Sequence, residues 1–99
     1  MANASPQLKS LPTRVTIPSE ILHQPVGDKV VLLHLPQERY YSLDDVGSRM
    51  WSLLVEDGDP RNVMRRLLEM YDVTEQDLER DLLALINRLV ESGLVEVEA

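Results

Sequence analysis

The chain has no cysteine, few basic residues, only four aromatic residues and no long apolar run, and each shortage removes a class of function. Without cysteine there is no disulfide, no thiolate metal site and no cysteine nucleophile, which is compatible with a reducing cytoplasm. Lys and Arg number 10 against 17 Asp and Glu, a formal charge of −7. Nucleic-acid binders draw most of their affinity from neutralising phosphates, so this balance argues against nucleic acid and suits a neutral or basic peptide. No apolar run approaches the roughly 18 residues of a membrane span. The opening MANASPQLKSLP lacks a signal-peptide core, and residues 1–13 are expected to form a flexible tail ahead of a single domain, 14–99. A domain this small buries somewhat over about 60% of its unfolded surface, which commits most apolar residues to the core and leaves little for a deep cavity.

Chemistry-bearing groupings are also missing. There is no Gly-rich phosphate loop, no nucleophile–base pair and no metal-ligand cluster, so neither an enzyme nor a cofactor is expected. His23 and His34 are isolated in strand-like segments. Asp44 and Asp45 sit where a strand gives way to a helix, a position that favours capping over acid–base work.

What is present is a change of period. From Arg14 to Leu43 short β-branched runs alternate with the breakers Pro18, Pro25, Gly27, Asp28 and Pro36. Strands are predicted over Ile21–Pro25, Val30–Leu35 and Arg39–Leu43 as an antiparallel meander, with the second central and the third at an edge. Leu43, Val46, Met50, Trp51 and Leu54 then recur at helical spacing. Gly47, one turn before Trp51, suggests a close backbone approach. Asp59-Pro60 starts a second helix whose apolar face is Val63, Met64, Leu67, Leu68 and Tyr71. Thr74-Glu75-Gln76-Asp77 opens a third, which runs to Ser92 and stops at Gly93. Leu94–Val97 forms a last short strand or packs across the sheet. Arg61, Arg65 and Arg66 make a small basic edge on the second helix, by default a solvated face.

On the third helix Leu78, Leu82, Leu85 and Leu89 form a core stripe at about 100° per residue. Leu83, Ile86 and Val90 widen it on one flank only, while the other flank turns at once to Asp81. Either this chain covers the extra apolar surface or a partner does.

The series Tyr41-x-Leu43-Asp44-x-x-Gly47-x-x-Met50-Trp51-x-Leu53-Leu54, followed by a helix and by a Leu-rich helix ending Leu89-Val90-x-x-Gly93-Leu94-Val95, resembles the PqqD family. The resemblance spans Val15 to Val97 and rests on the order and spacing of the motifs together. It implies an α+β, winged-helix-like domain, a three-stranded antiparallel sheet followed by three helices. It also implies a free-standing element that recognises the leader of a ribosomally made, post-translationally modified peptide, most similar to the leader-binding partner in lasso-peptide pathways. Its partners would then be the precursor leader peptide, a separate leader peptidase and a macrolactam cyclase.

Carried onto this sequence, the family's docking mode places the leader as an added strand on Arg39, Tyr40, Tyr41, Ser42 and Leu43. The helical wheel selects Glu79, Leu83, Ile86, Asn87 and Val90 as the facing wall. The alternatives are a winged-helix DNA-binding regulator, since that fold serves both classes, and a PqqD-type peptide chaperone for a radical SAM enzyme. Glu75, Asp77, Glu79, Asp81 and Glu91 against Arg80 and Arg88 on the third helix count against DNA.

Overall fold

Gly27, at φ 65°, lets the chain reverse between β2 (Ile21–Val26) and β3 (Lys29–His34), which pair from Ile21↔His34 to Val26↔Lys29. A left-handed residue in a two-residue loop matches the twist of a hairpin, which is why Gly-Asp serves here. β4 (Arg39–Leu43) returns antiparallel along β3, from His34↔Arg39 to Val30↔Leu43. The expected meander is therefore present in the order β2-β3-β4, with β3 central. These elements come from a computed structural model that describes residues 7–98.

Three helices follow, each opened by the side chain that the sequence suggested. Asp44 accepts from Gly47 N–H at 2.7 Å at the head of α1 (Asp45–Glu56). Asp59 accepts from Arg61 N–H at 3.0 Å before α2 (Pro60–Met70). Thr74 accepts from Asp77 N–H at 3.1 Å before α3 (Glu75–Glu91). Such contacts satisfy amides left unpaired in a first helical turn. α3 ends as expected at Gly93, whose φ of 74° allows Leu94 N–H to reach back to Leu89 C=O at 2.8 Å. A Cβ there would lie 3.2 Å from His34 Nε2, so the buried His34 ring packs directly on this turn. Gly47 also sits in a tight place, but the close neighbour is the Asp44 carboxylate, 3.1 Å from where a Cβ would be, rather than another backbone.

Leu78, Leu82, Leu85 and Leu89 are buried, as is Ile86, and they meet Leu32 and Leu43 of the sheet, Trp51 and Leu54 of α1, and Val63 and Leu67 of α2 in one core. The last segment does form a strand: β5 (Glu96–Glu98) pairs with β1 (Arg14–Thr16), with Val15 opposite Val97. This second sheet closes the chain near its two ends and puts Pro12 against the core. No helix among the described residues is long and apolar enough to cross a membrane.

The Asp57 carboxylate braces the α1–α2 connection. Asp57 accepts from Asp59 N–H and from the Asn62 amide, both at 3.0 Å. The Asp59 amide, then Asn62, keep its pKa below the ordinary 3.8, against a smaller opposing effect of burial. A folded pKa depressed below the unfolded one contributes stability above the unfolded value, and that contribution is lost as pH falls through the folded one. The melting temperature of Asp57→Ala is thus expected to lie below that of the parent at about pH 6, with the gap closing as the pH falls below the ordinary 3.8 and through the depressed value. A gap independent of pH would assign the effect to packing.

Candidate functional site

The three-stranded sheet has two margins, and they differ in the backbone groups they turn outward. In an antiparallel ladder, successive residues turn their N–H and C=O groups alternately towards and away from a given neighbour. Ser48 fixes the phase: its hydroxyl accepts from Val30 N–H at 2.8 Å and donates to Leu43 C=O at 3.2 Å, so residues 30 and 43 face one another. Counting by two along the observed register, Leu32 faces Tyr41 and His34 faces Arg39. The backbone groups of Tyr40 and Ser42 therefore point away from β3, two donors and two acceptors on the open side of β4.

The same count on β2 puts Ile21, His23 and Pro25 at the opposite margin. There Ile21 N–H is taken by Pro18 C=O at 3.1 Å, and Pro25 has no N–H to offer. Proline at an outward position is a usual protection of an edge strand. β4 carries no such protection: Tyr40 is 73% exposed and Ser42 exposed, while Tyr41 and Leu43 turn inward on the core.

Beside the junction of β4 with α1 lies a hollow of about 330 Å³, lined by Asp44, Val46, Gly47 and Met50 on one side and by Asp81, Ala84, Leu85 and Arg88 of α3 on the other. Met50 and Leu85 are buried and give it an apolar floor; Asp44, Asp81 and Arg88 are exposed and give it a charged rim. Gly47 and Ala84 are the smallest residues of its lining.

The structure separates the two halves of the expected site. Arg39 to Leu43 form the open edge. The α3 residues paired with them in the sequence reading lie on the other flank of the helix. Glu79 lines a hollow with Ser10, Leu11, Arg61 and Met64. Ile86 is fully buried. Asn87 is occupied by Leu8, whose N–H donates to its Oδ1 at 2.7 Å and whose C=O accepts from its Nδ2 at 3.1 Å. Leu83 and Val90 are half-buried, Val90 against the core. The extra apolar arc thus faces this chain's own N-terminal segment and α2. Within the segment expected to be a flexible tail, Leu8 and Leu11 pack on the core and Pro12 is buried, while residues 1–6 lie outside the described ones. Asp81, Ala84, Leu85 and Arg88 were not read as a wall, because the wheel was read for apolarity and two of the four are charged. The small residue Ala84 on that flank was the available signal.

Other candidates resolve into structural roles. His23 meets Trp51 edge to face at 5.9 Å between ring centroids. His34 accepts through Nδ1 from Gln37 N–H at 3.3 Å. Among the described residues no group of three or more His, Asp or Glu is placed to hold a metal. The basic edge of α2 is engaged within the chain: Arg61 reaches Pro12 C=O at 3.4 Å, Arg65 reaches Asn62 at 2.9 Å and Arg66 pairs with Glu56 at 2.9 Å.

Residues 29–95 match the family model described as coenzyme PQQ synthesis protein D (PqqD). The chain belongs to the PqqD family. Two solved structures share its fold. TbiB1 in complex with the TbiA(beta) leader peptide is 37% identical, with a TM-score of 0.80 over 85% of this chain and 98% of that one. Lasso peptide synthetase B1 complexed with the leader peptide is 28% identical, with a TM-score of 0.76 over 84% of this chain and 98% of that one. No curated protein matches. In this PqqD-family chain the matched span begins at β3 and includes β4, α1 and all of α3, and so contains both sides of the hollow.

Proposed function

We propose that this protein binds the leader segment of a ribosomally made precursor peptide as a strand added to Arg39–Leu43. The hollow between α1 and Asp81, Ala84, Leu85 and Arg88 receives a leader side chain. The protein presents the precursor to the leader peptidase and macrolactam cyclase of a lasso-peptide pathway and performs no chemistry itself. The observation that carries this is the asymmetry of the sheet: β4 turns four backbone groups outward, unpaired among the described residues, beside a hollow with an apolar floor, whereas on the β2 margin the Ile21 N–H is taken and Pro25 has none. The two solved relatives, both described as leader-peptide complexes, support the same reading.

The energetics define what such a site needs. Four hydrogen bonds contribute about 0.5–1.5 kcal/mol each. Ordering a disordered leader opposes them by about 2–5 kcal/mol or more, and micromolar affinity requires about −8.2 kcal/mol. Backbone pairing therefore falls short, and at least two buried apolar anchors, about 1.5–3 kcal/mol each, must make up the difference. The hollow provides for one.

Strand addition leaves an alternating signature in amide exchange. On adding the cognate leader, the amides of Tyr40 and Ser42 are expected to slow, while those of Tyr41 and Leu43, already facing β3, change little. Binding with no slowing at Tyr40 and Ser42 rules the mode out. A steep fall of affinity with added salt would point instead to a phosphate-bearing ligand.

A further inference from the structure

The N-terminal segment lies along α2 and α3, and it is held there as a bound peptide is held. The side-chain amide of Asn87 satisfies both main-chain groups of Leu8, at 2.7 and 3.1 Å. A primary amide used in this way recognises peptide backbone whatever side chain it bears. Side-chain selection comes from the residues around it: Leu8 and Leu11 pack on the core, Pro12 is fully buried, and its carbonyl accepts from Arg61 at 3.4 Å. Lys9 and Ser10 between them are exposed. The pattern recognised is Leu-x-x-Leu-Pro. A hollow of about 320 Å³ remains beside Leu11, between Arg61 and Met64 of α2 and Glu75 and Glu79 of α3. Asn87 and Glu79 point from one flank of α3, Ala84 and Arg88 from the other, so this groove and the hollow beside β4 do not share a wall.

We propose that the groove along α2 and α3 is a second peptide-binding site, distinct from the β4 edge, which reads Leu-x-x-Leu-Pro and is filled in cis by residues 8–12. A partner peptide of that pattern takes the same seat when the cis segment is released. The segment is tethered directly to β1, so it acts at a high effective concentration, and modest intrinsic affinity is enough to keep the groove filled. The inference is independent of strand addition at β4.

The test keeps the whole chain and empties the groove from the segment's side. In Leu8→Asp with Leu11→Asp the groove residues are untouched. A fluorescein-labelled synthetic peptide of residues 7–13 is the probe, and a cooperative thermal melt certifies the fold. The expected result is saturable binding to the double variant, with affinity for the parent at least about tenfold weaker because its own segment competes. Adding Asn87→Leu to the double variant is expected to weaken binding by about tenfold or more through loss of both backbone contacts. Ala84→Trp, which fills the other hollow, is expected to leave it unchanged. A folded double variant that binds no peptide overturns the proposal, as does binding insensitive to Asn87→Leu. Loss of binding on Ala84→Trp would place the peptide at β4 and overturn it equally. If the double variant does not melt cooperatively, Leu8→Ser alone takes its place with the same readings.

Discussion

Tyr40→Pro is expected to abolish leader binding at concentrations that saturate the parent, while leaving the protein folded. The Tyr40 N–H points away from β3 by the phase that Ser48 sets, so proline there removes no hydrogen bond of the sheet. Its side chain is 73% exposed, and its loss costs the core nothing. Arg39, the residue before it, is already in a strand, the conformation that a following proline demands. The chain itself supplies the precedent in Pro25, at the outward-facing position of the other margin. For an incoming strand, however, the substitution deletes one donor and puts a ring where the guest backbone must lie. Loss of a hydrogen bond together with an unpaired guest carbonyl amounts to about 2–4 kcal/mol, roughly 30-fold to 1,000-fold in affinity. Ser42→Pro has the same parity and is expected to behave alike. Tyr41→Pro has the opposite parity, removes a bond to Leu32, and is expected to lower the melting temperature instead. Anisotropy with labelled cognate leader and a circular dichroism melt read the two effects separately. Parental affinity in both Tyr40→Pro and Ser42→Pro would show that the guest does not lie on β4.

The contrast between the two margins was only half legible in the sequence. β4 was predicted over the residues it occupies, because Arg39–Leu43 is a short run between Pro36 and the Asp44 cap. The other two strands were placed within one residue of their observed ends, Ile21–Val26 and Lys29–His34. The helix starts were equally visible, since Asp44, Asp59 and Thr74 act on amides two or three residues away. Local hydrogen bonding is written in local sequence. The tail was not legible for the converse reason: Leu8 meets Asn87 across a separation of 79 residues, and two leucines with Lys9 and Ser10 between them carry no period. The wall beside β4 raised a related difficulty. A helical wheel gives the direction of an apolar arc but not the identity of what covers it, and here Leu83 and Val90 turn towards the side of α3 where the chain's own segment docks. The strand β1 was missed because three residues, with only Val15 buried, become a strand only through pairing with β5.

Trp51→Ala is expected to be the most damaging single substitution in the core, and its comparison with Trp51→Phe tests how the binding edge is anchored. Trp51 is fully buried on the helix that follows β4 without a loop, where Ser48 also ties Val30 to Leu43. Removing a buried tryptophan costs about 3–5 kcal/mol through lost burial and the cavity left behind. Against a total stability of about 5–15 kcal/mol for a domain, that places the variant near the edge of unfolding. Each kcal/mol moves the melting temperature of a domain this size by about 4–8 °C, so a fall of more than about 12 °C is expected. Phenylalanine in the same place retains most of the ring contacts. It also deletes the indole N–H, which is buried without a hydrogen-bond partner among the described residues and so carries an uncompensated desolvation cost of about 1–3 kcal/mol. Trp51→Phe is therefore expected to cost less than half as much as Trp51→Ala, with leader affinity retained. If the two substitutions lower the melting temperature equally, the indole nitrogen is contributing a bond that the packing around His23 and Trp51 does not reveal. If neither does, α1 is fastened to the sheet through Ser48 and Met50 rather than through the tryptophan.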